Sequence, residues 1–130
     1  MPVQLPPGRP RPRGDANGVA VHGRTVFVAG TTGWDARGRV VSDTLAGQVR
    51  QALCNAVDVL AVAGARPEHI VRMTRCVSHE QASLAACAEI GAAHRDVIGS
   101  VNAAVTAVPV SALIEDRAQV EIEVTAVIES

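Results

Sequence analysis

Apolar residues in this chain recur with two different periods, and the order in which those periods alternate is the strongest constraint on its fold. Between residues 45 and 60 the apolar positions include Leu45, Val49, Ala52, Leu53, Ala56, Val57 and Leu60. Spacings of three and four place them on one face of a helix, capped by Ser42 or Asp43 and ended by Gly64 and Pro67. Between 120 and 128 the period is two. Val120, Ile122, Val124, Ala126 and Ile128 point one way, and Glu121, Glu123 and Thr125 the other. Short β-branched runs at 18–22 and 25–29 flank His22-Gly23-Arg24 and predict a hairpin. A strand over 70–77 has one side made polar by Arg72, Thr74 and Arg75. An alanine-rich helix over 80–95 has Leu84, Cys87 and Ile90 available for packing, and a strand follows within 103–110. The order β-β-α-β-α-β-β predicts a single α+β domain, a mixed sheet with two helices on one face.

The run over 103–110 adds a second constraint, because it offers apolar side chains to both faces of the sheet. Two helices cover only one face. A chain of 130 residues has no third layer of its own, so another subunit is the expected cover. Residues 1–17 read as an extended arm and 18–130 as the domain. The arm carries five of the seven prolines and, at Arg9, Arg11 and Arg13, three arginines, without the apolar core of a signal peptide. It reads either as a flexible tail or, through residues 10–13, as a proline-rich ligand for an SH3-type domain.

Composition removes several kinds of chemistry. All twelve basic residues are arginine, and Phe27 and Trp34 are the only aromatics. Without lysine or tyrosine there is no Schiff-base lysine, no P-loop lysine and no tyrosine acid. Net charge is −1 with the two signs interspersed, which gives no electrostatic footprint for nucleic acid. Apolar stretches are broken by polar residues well before eighteen, so no membrane span is expected. Cys54, Cys76 and Cys87 are odd in number and sit in apolar segments, which argues against a disulfide framework and for a reducing cytoplasm. Cys76 and His79 have a metal-like gap but no second pair, so no metal site is expected. His22, His69 and His94 read as exposed turn or helix-end residues. No serine-hydrolase, dinucleotide or zinc-protease motif is present.

Five strings in a fixed order carry a resemblance. They are Val26-Phe27-Val28-Ala29-Gly30, residues 48–55 on the first helix, Ala63-Gly64-Ala65 closing it, Ile70-Val71-Arg72-Met73-Thr74, and Val120-Glu121-Ile122-Glu123. Together they resemble the RidA/YjgF family of reactive-intermediate deaminases over roughly 18–128. The resemblance implies a chorismate-mutase-like fold and a homotrimer with small-molecule sites in clefts between subunits. It also implies hydrolysis of enamines and imines, such as 2-aminoacrylate, to a keto acid and ammonia without metal or cofactor. Carried over by position, the family's carboxylate-binding arginine falls on Val105, its small or cysteine position on Ala107, its tyrosine near Ala16 and its helix asparagine on Cys87. Glu121 stands at the glutamate that positions or activates the hydrolytic water, and Gly30 is retained.

Each of these residues also has a plainer reading. Glu121 is either that catalytic carboxylate or, like Glu123, the polar side of an amphipathic strand. Val105 is otherwise a strand residue, and its meaning lies in what it lacks. An arginine–carboxylate pair contributes roughly 1.5–3 kcal/mol, so without it a substrate carboxylate is held at least tenfold more weakly unless another arginine reaches in. Arg72, Arg75 and Arg24 are the candidates, and Arg72 is included in the substrate-binding set with Val105, Ala107, Cys87, Gly30 and Trp34. Cys87 is otherwise a small thiol on a helix, and Trp34 otherwise packs its loop. Two functions follow. One is a cofactor-free hydrolase acting on an imine, enamine or related intermediate other than 2-aminoacrylate. The other is a non-catalytic trimer that binds a small molecule or a protein. RNA cleavage, a third function attached to some relatives, lacks a basic stripe or aromatic platform here.

Overall fold

The computed structural model describes residues 3–10, 12 and 15–130. Strands β1 (Val3–Gln4) and β2 (Gly18–Val19) form a short antiparallel ladder. The main sheet contains β3 (Gly23–Thr31), β4 (Ile70–Val77), β5 (Ala104–Pro109) and β6 (Val120–Glu129), in the order β3-β6-β4-β5. β6 is antiparallel to both β3 and β4, while β4 and β5 are parallel, so the sheet is mixed. Helix α1 (Leu45–Val62) and the segments α2 (Glu80–Ala85) and α3 (Cys87–Val97) supply the helices. The α+β single domain expected from the alternating periods is the fold observed.

Strand register sorts the residues by face. Met73 pairs with Val124 and Val105, and Arg75 with Ile122 and Ala107, so all six point toward the helices. Leu53 and Leu60 of α1 meet Ile70, Met73 and Ile122 in the core, all fully buried. Burying side chains of this size, at roughly 1.5–3 kcal/mol each, is what holds α1 on the sheet. On the opposite face lie Arg72, Thr74, Cys76, Thr106, Val108, Glu121, Glu123 and Thr125. Phe27 belongs to that face too, opposite Thr125, and is 78% exposed. Among the described residues, no helix covers this side of the sheet.

Three local expectations are corrected. The hairpin around His22-Gly23-Arg24 does not form, because β2 pairs with β1 and β3 pairs with β6. Gly23 is the first residue of β3 and not a turn residue. A Cβ there would lie 2.0 Å from the Ile128 carbonyl oxygen, so glycine serves close strand approach. The N-cap of α1 is Thr44, whose Oγ1 accepts from Gly47 N at 3.1 Å, and Ser42 supports it with a 3.0 Å contact between the two hydroxyls. The C-terminal end is as expected: Gly64 takes φ +77° just past the helix, and Ala65 N donates to Leu60 O at 2.9 Å. Finally, the second helix is broken at Ala86 into α2 and α3. α2 buries no residue and Leu84 is 66% exposed, so the alanine-rich segment lacks the apolar anchors that would hold one continuous helix.

The arm returns to the domain. Ala16 bridges in parallel to Ala104 and donates its N–H to Ala103 O at 2.9 Å. Arg11 and Arg13 of the proline-rich string lie outside the described residues. Among the described residues, no helix is long and apolar enough to cross a membrane.

Candidate functional site

A cleft of about 810 Å³ opens on the helix side of the sheet, where α3 stands off from the parallel β4–β5 pair. Its size falls within the range of small-molecule sites. Met73, Val105 and Ala107 line it from the strands, Cys87, Ile90 and His94 from α3, and Asn102 and Asp15 from the segments that join it. Three residues expected at the site, Val105, Ala107 and Cys87, are therefore brought together. Cys87 is exposed, and Cys54, Cys76 and Cys87 are all free thiols.

Two arginines line this cleft, the exposed Arg95 of α3 and the half-buried Arg75 of β4. Arg75 Nη1 donates to His94 Nε2 at 2.8 Å. A guanidinium only donates, so the ring accepts at Nε2 and carries its proton on Nδ1. Burial and the adjacent Arg75 charge push His94 down to about 4, which keeps the ring neutral. Burial also lowers the Arg75 guanidinium from its ordinary value, although it remains a cation at neutral pH. Arg75 Nε is buried and has no partner.

His94 was expected at an exposed helix end; it lies in the last turn of α3 but is half-buried against the cleft, which corrects the expected exposure. The signal was available in the spacing: Cys87, Ile90, Gly91, His94 and Ile98 fall at three- and four-residue steps along one stripe of α3, and all five line the cleft. Arg72, placed in the substrate-binding set, is exposed on the other face of the sheet. A register shift between Ile70 and Arg72 decides which arginine turns inward, and that irregularity has no mark in the sequence.

The remaining expected residues are elsewhere. Glu121 is half-buried on the uncovered face, opposite Cys76. Gly30 lies against it, so close that a Cβ would fall 2.5 Å from Glu121 Oε1. Trp34 is 39% exposed in the loop before α1, bridged to Val40, with its carbonyl accepting from Asn55 Nδ2 at 2.9 Å. It does not line the cleft. Among the described residues, no cluster of histidine, cysteine, aspartate or glutamate has the makings of a metal site.

Sequence reasoning also passed over Gln48, a polar residue on the core face of α1 with 1% exposure. Its Nε2 donates to Ser42 O at 2.9 Å and Arg117 O at 3.1 Å, and its Oε1 accepts from Gln119 N at 2.7 Å. One amide therefore ties the start of α1 to the turn that feeds β6, the strand carrying Glu121.

A mixed sheet with helices on one face and a cleft against its parallel edge pair defines an α+β domain suited to small molecules. The chain belongs to the RidA/YjgF family: the family profile described as endoribonuclease L-PSP matches residues 8–128. YyfB of Yersinia pestis, a conserved Rid-family protein of unknown function, is 36% identical, with 98% of each chain covered and a TM-score of 0.82. Rv2704 of Mycobacterium tuberculosis, from the YjgF/YER057c/UK114 family, is 32% identical over 89% of this chain and 88% of that one, with a TM-score of 0.65. TdcF of E. coli, solved with bound serine, is 22% identical over 98% and 93% of the two chains at a TM-score of 0.71, a likeness of fold. No curated protein matches. Membership supports a role in processing or binding a small molecule.

Proposed function

We propose that this protein is a cofactor-free hydrolase of a small imine or enamine, working in clefts between the copies of a homotrimer. The observation that carries the reading is the space cleared for Glu121. Gly30 leaves room for the Glu121 carboxyl group, which would have to swing aside for any side chain there, and no described glycine lies against Glu123. A glutamate that only solvates a strand needs no cleared space.

Glu121 and Gly30 lie on one face of the sheet, whereas Val105, Ala107 and Cys87 line a cleft on the other. Within one copy they cannot contact the same small molecule. In a closed ring, where one surface of each copy meets a different surface of the next, they can. The exposed Phe27 and Val108 on the uncovered face suit such an arrangement. The free thiols suit a reducing cytoplasm.

In the reaction, Glu121 takes a proton from water as the oxygen bonds to the imine carbon. The C=N π pair moves to nitrogen, which receives a proton. Collapse of the carbinolamine then breaks the C–N bond while its hydroxyl proton passes, by way of Glu121, to the leaving nitrogen, releasing ammonia and leaving a carbonyl. An enamine enters the same sequence after protonation at carbon. Glu121→Gln keeps size and removes the base, so turnover falls by about 10²–10⁴-fold with folding intact, while Glu123→Gln has little effect. Ammonia release from a panel of imines generated in place measures both. If both variants turn over at the parent rate, Glu121 is not the base; if the parent itself turns over no imine, the alternative is a non-catalytic binding module of the same fold.

A further inference from the structure

The ring of His94 is held at one nitrogen and open at the other. Nε2 accepts from Arg75 Nη1 at 2.8 Å, so the ring proton sits on Nδ1. Among the described residues Nδ1 has no partner, and it keeps contact with solvent in a side chain that lines the cleft. The guanidinium fixes the tautomer, and its charge at Nε2 polarises the ring so that the Nδ1–H becomes a stronger donor.

The helix also keeps the space beside this ring clear. Gly91, one turn before His94, lines the same cleft, and a Cβ there would meet only Arg95 Nη1, at 3.4 Å. Glycine inside a helix is destabilising, and here it leaves a gap in the stripe between Ile90 and His94. The charged groups nearby do not occupy the donor. Arg75 turns Nη1 onto the ring and buries its Nε, Arg95 is exposed, and Asp15 lines the cleft without bonding to the ring.

We propose that His94 is a specificity-determining residue, whose Nδ1–H donates to a neutral carbonyl oxygen of a small, partly apolar ligand. One uncharged N–H matches one neutral acceptor, and a group that only donates, such as an ammonium, would leave it unpaired. Met73, Ile90 and Val105 wall the cleft with apolar surface for the rest of the molecule. Making this ligand the substrate rests on the hydrolase reading, which then takes an imine or enamine bearing a ketone, ester or amide carbonyl. The binding itself does not rest on it.

The test titrates the full chain with acetophenone and with α-methylstyrene, which share a shape and carry C=O or C=CH₂. The alkene leaves water more readily, so the quantity read is the ketone-to-alkene affinity ratio, compared between proteins. His94→Phe should lower that ratio by about 3–10-fold. His94→Gln, whose amide accepts from Arg75 and still donates, should keep part of it. Gly91→Leu, which favours the helix and fills the gap, should weaken both probes alike. In the parent protein, which needs no variant to fold, nitrogen-edited spectra should place the His94 proton on Nδ1. That resonance should move downfield with acetophenone and not with α-methylstyrene. An unchanged ratio in His94→Phe overturns the proposal, as does a proton on Nε2. So does an Nδ1–H that acetophenone leaves unmoved, which would mean that an acceptor from this chain or a second copy already holds it. Acetophenone bound through His94 in a protein that hydrolyses no imine would support the donor and sink the hydrolase reading. Imine turnover with an unchanged ratio would do the reverse.

Discussion

His94 holds its place in the cleft only as a neutral ring. Its ordinary value of 6.5 in the unfolded chain drops to about 4 in the fold. Folding therefore expels its proton between those limits. The stabilisation is complete above pH 6.5 and is lost progressively as pH falls toward 4, because the unfolded chain then binds the extra proton. Thermal melts between pH 7 and 5 should show stability falling more steeply in the parent than in His94→Gln, which retains an acceptor for Arg75 but cannot titrate. Parallel profiles would contradict the half-buried, neutral assignment. At this scale the sequence was only partly legible. Val105, Ala107 and Cys87 reached the cleft from positional likeness alone. Choosing Arg75 over Arg72 required knowing a register shift in β4, and placing His94 required reading a stripe on α3 whose large buried side chains are only Ile90 and, just past the helix end, Ile98.

Elements with strong periodicity were the most legible. The strand expected over 70–77 is β4, and the alternation over 120–128 is β6 to within a residue. The apolar stripe of α1 was read apart from Gln48, which shares the buried face for its hydrogen bonds and not for its hydrophobicity. The weakly apolar 80–95 segment was the least legible, because nothing buried holds α2 in line with α3. Gln48→Leu tests the connection between elements. It keeps a similar volume but leaves Ser42 O, Arg117 O and Gln119 N without their partner, at a cost of about 2–4 kcal/mol. Urea unfolding should show a lower midpoint with an unchanged slope. An unshifted midpoint would mean that water or a local rearrangement satisfies those groups.

At the scale of the whole molecule, the sheet separates the two halves of the proposed active site. Glu121 with Gly30 occupies the uncovered face, and the Arg75 cleft occupies the helical one. The apolar run on β5 announced that the sheet needs a cover, but periodicity says nothing about which residues a second copy would bring. The most direct test is complementation. Glu121→Gln lacks the base, and Ala107→Trp fills the cleft while keeping Glu121. Each alone should be nearly inactive toward a hydrolysed imine. Equal amounts co-refolded into mixed rings place an intact Glu121 against an open cleft at about one interface in four, and activity should return to about a quarter of the parent's. Mixed rings no more active than either variant alone would contradict a site assembled from two copies.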